Sequence, residues 1–153
     1  MFTVYNISLF VHVTAVIIWI GGLVAVGILN ARLAREEGPA MAPIARASRF
    51  FGQAVVGPAA VLTLIAGVIM VVDADLGFST LWIAWGLGGI LLSLLLGATL
   101  IRRAGDELSV ATEAPSKDHA RIVGLQRRVR NLNPLNLALL FSVVWAMVFK
   151  PTL

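Results

Sequence analysis

The chain has 153 residues, of which 59% are hydrophobic and 13% charged, against roughly 25% charged in an ordinary soluble domain, so water is not its main solvent. Twelve Lys and Arg stand against eight Asp and Glu, but the basic residues gather in two connections, which makes the excess topological and gives no reason to expect a nucleic-acid partner. There is no cysteine, which removes disulfides, thiolate metal sites and cysteine nucleophiles and leaves His, Met or oxygen for any metal.

Residues 1–30 hold no Lys or Arg, and their apolar run outlasts the about 7 to 15 residues of a signal peptide. A retained first helix is therefore predicted at about 5–29. Crossing about 30 Å of hydrocarbon takes about 20 helical residues, and three more uncharged stretches qualify, at about 51–72, 80–101 and 132–149. The expected fold is an all-α membrane protein, a four-helix transmembrane bundle forming a single domain over 1–153. Residues 102–131 read as a solvated cytoplasmic loop, within which 118–130 could lie as an amphipathic helix on the inner headgroups.

Arg32, Arg35, Arg46 and Arg49 follow the first helix, and Arg102, Arg103, Lys117, Arg121, Arg127, Arg128 and Arg130 follow the third, eleven of the twelve basic residues. The positive-inside rule then predicts an N-out, C-out orientation, and the expected location is the bacterial inner membrane. Tyr5, Phe78, Trp82, Trp85 and Trp145 fall near the outer ends of their helices, where aromatic rings favour the headgroup region. Trp19 falls near mid-membrane instead, so its indole N–H is expected to need an acceptor on a neighbouring helix.

Small residues four apart allow close helix approach in lipid. They form two ladders, Ala59, Thr63 and Gly67 in helix two and Gly89, Ser93 and Gly97 in helix three, with plain packing the expected role. Gly57–Pro58 should kink helix two by removing a backbone bond.

One ionisable residue lies within a span and cannot easily snorkel out of it, and an intramembrane ionisable group is a functional hypothesis by default. It is His12, on a stripe with Ser8, Ala15, Trp19 and Leu23. A neutral imidazole suits a metal ligand or proton carrier, or it serves as a structural group bonded to a neighbouring helix. Met70 and Met147 are expected in the same outer half, and His with Met suits a haem iron or Cu(I), although methionine is also routine packing material. There is no Gly-rich phosphate loop, no paired intramembrane carboxylates and no HExxH, so nucleotide and hydrolytic chemistry are not expected.

The run FVHVTAVIIWIGGL from Phe10, ASRFFGQAVVGPAAVLTLIAGV at 47–68 and LNPLNLALLFSVVWAMVFKP at the end resemble the DUF2269 and copper-resistance-D-like membrane proteins and, more distantly, the HemJ type of protoporphyrinogen oxidase. The matches are His12, Trp19, Gly22 and Leu23 in order, Pro58, Thr63 and Gly67 in helix two, and the terminal Lys150–Pro151. The resemblance implies His12 as an axial haem ligand. It does not carry over the HemJ-type lysine of helix three, because Trp82 is followed by Gly86 where that lysine would stand, and Arg102 and Arg103 replace a further histidine.

Three functions are expected from this. The first is binding of haem b, or another redox metal, through His12 in a pocket shaped by Trp19, Pro58 and Thr63, for electron transfer or metal handling with a redox partner. The second is a non-catalytic accessory subunit that binds another membrane protein or itself. The third is copper transport through His12, Met70 and Met147.

Overall fold

The structure, a computed structural model, describes residues 3–36, 40–114, 116 and 118–151, and among these the regular structure is entirely helical. α1 covers Val4–Leu33, α2 Met41–Phe51, α3 Gly57–Asp73, α4 Leu81–Leu96, α5 Arg102–Glu113 and α6 His119–Phe149. Two π-helical turns, Gly52–Val56 and Gly97–Ile101, join α2 to α3 and α4 to α5. The six helices are thus four rods, Val4–Leu33, Met41–Asp73, Leu81–Glu113 and His119–Phe149, each long and apolar enough to span a membrane. They run up, down, up and down, so both termini and the 74–80 turn lie at one end, here the terminal end. The opposite end is the arginine end.

Caps fix where the rods start. Thr3 accepts the Asn6 N–H at the start of α1, and Asp118 accepts the Arg121 N–H at the start of α6, each satisfying one of the orphan donors of a first turn. Lys150 closes α6 in the left-handed region (φ 46°), and Pro151 follows it.

The arginine end departs from the expected loop. Rods of 33 residues span about 50 Å at 1.5 Å per residue, well beyond the hydrocarbon, and the excess extends past Arg49 and Arg102. Here Leu33, Met41, Ala45, Leu108, Ile122 and Leu125 form a second buried core. Within 102–131, α5 buries Ala104, Leu108, Ser109 and Thr112 while α6 buries Ile122, Leu125 and Val129, stripes with helical period. The 118–130 segment is the first part of α6 and packs in this core instead of lying on headgroups. Dense charge on the outer faces masks that periodicity in a hydropathy window.

The main core lies between the arginine end and the terminal end, made by Trp19, Leu23, Val26, Val56, Ala59, Ala60, Ile90, Leu140 and Val143. α1 packs along α3 and α4 along α6. A Cβ on Gly22 would lie 2.8 Å from Val56, and one on Gly86 or Gly89 would collide with Met147 or Val143, so these glycines permit the close approach that helix association in lipid relies on.

Candidate functional site

His12 meets α3 side-on. Its Nδ1 lies 2.9 Å from the Thr63 carbonyl oxygen. A carbonyl only accepts, so the Nδ1 carries the proton and the neutral ring keeps its lone pair on Nε2. Two lone pairs let the carbonyl serve this bond beside its helical one. Thr63 is fully buried and returns its hydroxyl to the Ala59 carbonyl at 2.9 Å. The ring rests on Gly67, where an added Cβ would come within 3.1 Å of Cε1 and 3.2 Å of Nδ1. The first ladder therefore does more than pack: its Thr63 supplies the acceptor and its Gly67 the space for an imidazole.

The other expected metal ligands are placed differently. The Met147 thioether packs over Gly86 of α4 and against the main core, and Met70 stands one turn beyond Gly67 on α3. No contact of either with His12 is described. Among the described residues no three His, Asp or Glu side chains gather as a metal site would need.

Trp19 and Pro58 come together elsewhere, on a cavity of about 860 Å³ that neither His12 nor Thr63 lines. It is framed by both π-helical turns, Gly52–Val56 and Gly97–Ile101. In the first turn the Gly57 N–H bonds to the Gly52 carbonyl, five residues back. Pro58 contributes no N–H and its ring crowds the carbonyl four residues before it, so a widened turn in front of it relieves the conflict. At the expected kink the helix thus shifts register. The second ladder divides likewise: Gly89 packs on Val143 and the Ser93 hydroxyl donates to Asn136 at 2.6 Å, but Gly97 has nothing within 4 Å and borders the cavity.

The buried Trp19 ring lines the cavity. Asn133, 4% exposed, donates from Nδ2 to the Leu23 carbonyl at 3.0 Å, while its Oδ1 is buried without a partner. It stands between the large cavity and a second one of about 340 Å³ against α1. Toward the arginine end the lining turns charged, with Asp106 drawing Arg49, Gln53 and Arg102 together.

These amides and this ion cluster are functional candidates that a search for ionisable groups within the spans passes over. The signal available was LNPLN at 132–136, two amides flanking a proline inside an apolar stretch, where buried polar side chains are expensive.

Residues 6–151 match the model of a family described as Predicted integral membrane protein (DUF2269). No curated protein and no solved structure matches the chain.

Proposed function

The chain belongs to the DUF2269 family of predicted integral membrane proteins, and from that premise we propose that it sits in the bacterial cytoplasmic membrane with its termini outside and holds haem b, or another redox metal, on His12. The observation that carries this reading is the pose of the ring. With Nδ1 tied to the Thr63 carbonyl and Gly67 beneath it, His12 is fixed in the tautomer that leaves Nε2 for a metal, the arrangement second-shell carbonyls give to ligating histidines. Bound there, haem iron would supply one-electron exchange, for electron transfer or metal handling.

The donor fits, while neither of the two cavities described above has His12 in its lining, and Met147 packs over Gly86. A second copy or a membrane-protein partner would have to cover the group, which joins the haem and accessory-subunit expectations in one reading. Copper transport draws the least support, since His12 sits on Thr63 and Gly67 of α3 while Met147 packs over Gly86 of α4. The orientation rests on the charge asymmetry, eleven of twelve basic residues on one side.

A second reading, a colourless accessory subunit, is favoured by the same bond, because the Thr63 carbonyl satisfies the ring's one donor without any metal. Protein purified in mild detergent from cells supplied with a haem precursor and copper separates the two. The haem reading expects a Soret band with stoichiometric iron, lost in His12→Ala and kept in His119→Ala. No Soret band and no stoichiometric metal would overturn it in favour of the accessory role, and full occupancy in His12→Ala would overturn the assignment to that residue.

A further inference from the structure

The cavity of about 860 Å³ lies within the size range of sites for whole small molecules and cofactors, about 300 to 1,000 Å³. The space is a cleft open to its surroundings, not an enclosed void, and its lining describes the occupant it suits. On its α3 wall Val61, Leu62 and Ile65 are close to half-exposed, so the cleft opens sideways between α3 and α4, where a bilayer offers hydrocarbon. An apolar chain can enter there without crossing a polar barrier.

At the arginine end the same lining carries a headgroup site. Arg49 Nε lies 2.8 Å from Asp106 Oδ1, Gln53 Nε2 donates to that oxygen at 3.1 Å, and Arg102 Nε lies 3.8 Å from Oδ2. Two guanidiniums share one carboxylate, leaving one positive charge in excess. The Arg49 and Arg102 side chains stay 44% and 61% exposed, which leaves guanidinium N–H donors open to fork onto phosphate. Deeper in, the lining holds the Trp19 ring and Asn133, whose buried Oδ1 has no partner among the described residues. The two π-helical turns widen adjacent rods at this cavity, as such turns often do at functional sites.

We propose that this cleft binds one anionic phospholipid, its phosphate at Arg49 and Arg102 and an acyl chain running between α3 and α4 toward Trp19. The site is separate from His12 and does not depend on a metal there.

The test uses the full chain with Trp82, Trp85 and Trp145 changed to Phe, leaving Trp19 as the only tryptophan. It is reconstituted in phosphatidylcholine vesicles containing a minor fraction of phosphatidylglycerol, with brominated chains on one lipid or the other. At equal bromine content, Trp19 fluorescence should be quenched several-fold more by the brominated anionic lipid. Each of Arg49→Gln and Arg102→Gln should lower that preference about fivefold, the weight of one arginine at an anionic surface. Equal quenching by both lipids would overturn the proposal.

Because the arginines also hold Asp106, Gly97→Leu gives an independent arm: its Cβ meets open space and it removes no member of the ion cluster, and it should abolish the anionic preference in a protein of unchanged helicity. Preference retained with the cleft filled would overturn the placement. Free inorganic phosphate should leave the quenching in place, and displacement by phosphate alone would overturn the lipid as occupant. His12→Ala should change nothing in this assay, which keeps its outcome apart from that of the haem measurement.

Discussion

Gly67 and Gly21 carry the same residue type and opposite expectations. An added Cβ at Gly67 would press on the His12 ring at 3.1 Å, whereas at Gly21 nothing lies within 4 Å. Because the Thr63 bond holds the ring that must give way, Gly67→Ala should lose the helix-propensity gain of up to about 1 kcal/mol that alanine otherwise brings, and disturb any spectrum arising from His12. Gly21→Ala should be neutral or slightly stabilising through helix propensity. Thermal unfolding of both variants in detergent checks this, and equal melting temperatures would show that the ring does not rest on Gly67. The buried Ser93–Asn136 bond of 2.6 Å offers a second measurement. A double-mutant cycle of Ser93→Ala with Asn136→Leu should give a coupling of about 0.6 kcal/mol and not much above 1.7, the scale of such bonds between membrane helices. His12 was legible in the sequence because an imidazole in an apolar span stands out. Its partner was less so, since Thr63 accepts through its backbone, which no residue type announces, and the ladder gave only the close approach.

At the scale of helices, legibility stops where the hydrocarbon does. The terminal-end boundaries expected at 72, 80 and 149 fall beside Asp73, Leu81 and Phe149. At the other end the rods continue to Met41, Glu113 and His119, where the expectation was a connection or loop with an amphipathic helix only as an option at 118–130. A hydropathy window averages over all faces, so it reports a bilayer well and a polar helix with one buried stripe poorly. The second core makes this testable. Ile122 is 1% exposed and Val123 44%, so Ile122→Ala should lower stability by about 2 to 5 kcal/mol, while Val123→Ala should stay within about 0.5 kcal/mol. Equal effects would mean that 102–131 behaves as a loop after all. The cavity was out of reach of sequence for a different reason. It arises where Gly97 faces open space and two rods widen at π-helical turns, and a void depends on how rods cross more than on any one of them.

At the scale of the whole molecule, both proposed sites inherit their surroundings from the way the bundle faces. If the arginine end is cytoplasmic, His12 meets the outer half of the membrane and the Arg49–Asp106–Arg102 cluster meets the anionic inner leaflet, where basic side chains gain about 1 kcal/mol each. If it is reversed, the lipid cleft loses its richest source of ligand and His12 faces cytoplasmic reductants directly. The absence of cysteine makes the test simple, since each introduced thiol is the only one. In cells, a membrane-impermeant thiol reagent should label Thr3→Cys and Asp75→Cys from outside, and Ser116→Cys only after permeabilisation; Asp75 lies exposed in the turn between α3 and α4, and Ser116 is exposed between α5 and α6. Labelling of Ser116→Cys in intact cells with protection of the other two would reverse the topology. Eleven basic residues on one side make that outcome expensive, because each arginine or lysine moved across works against the bias that sets orientation during insertion.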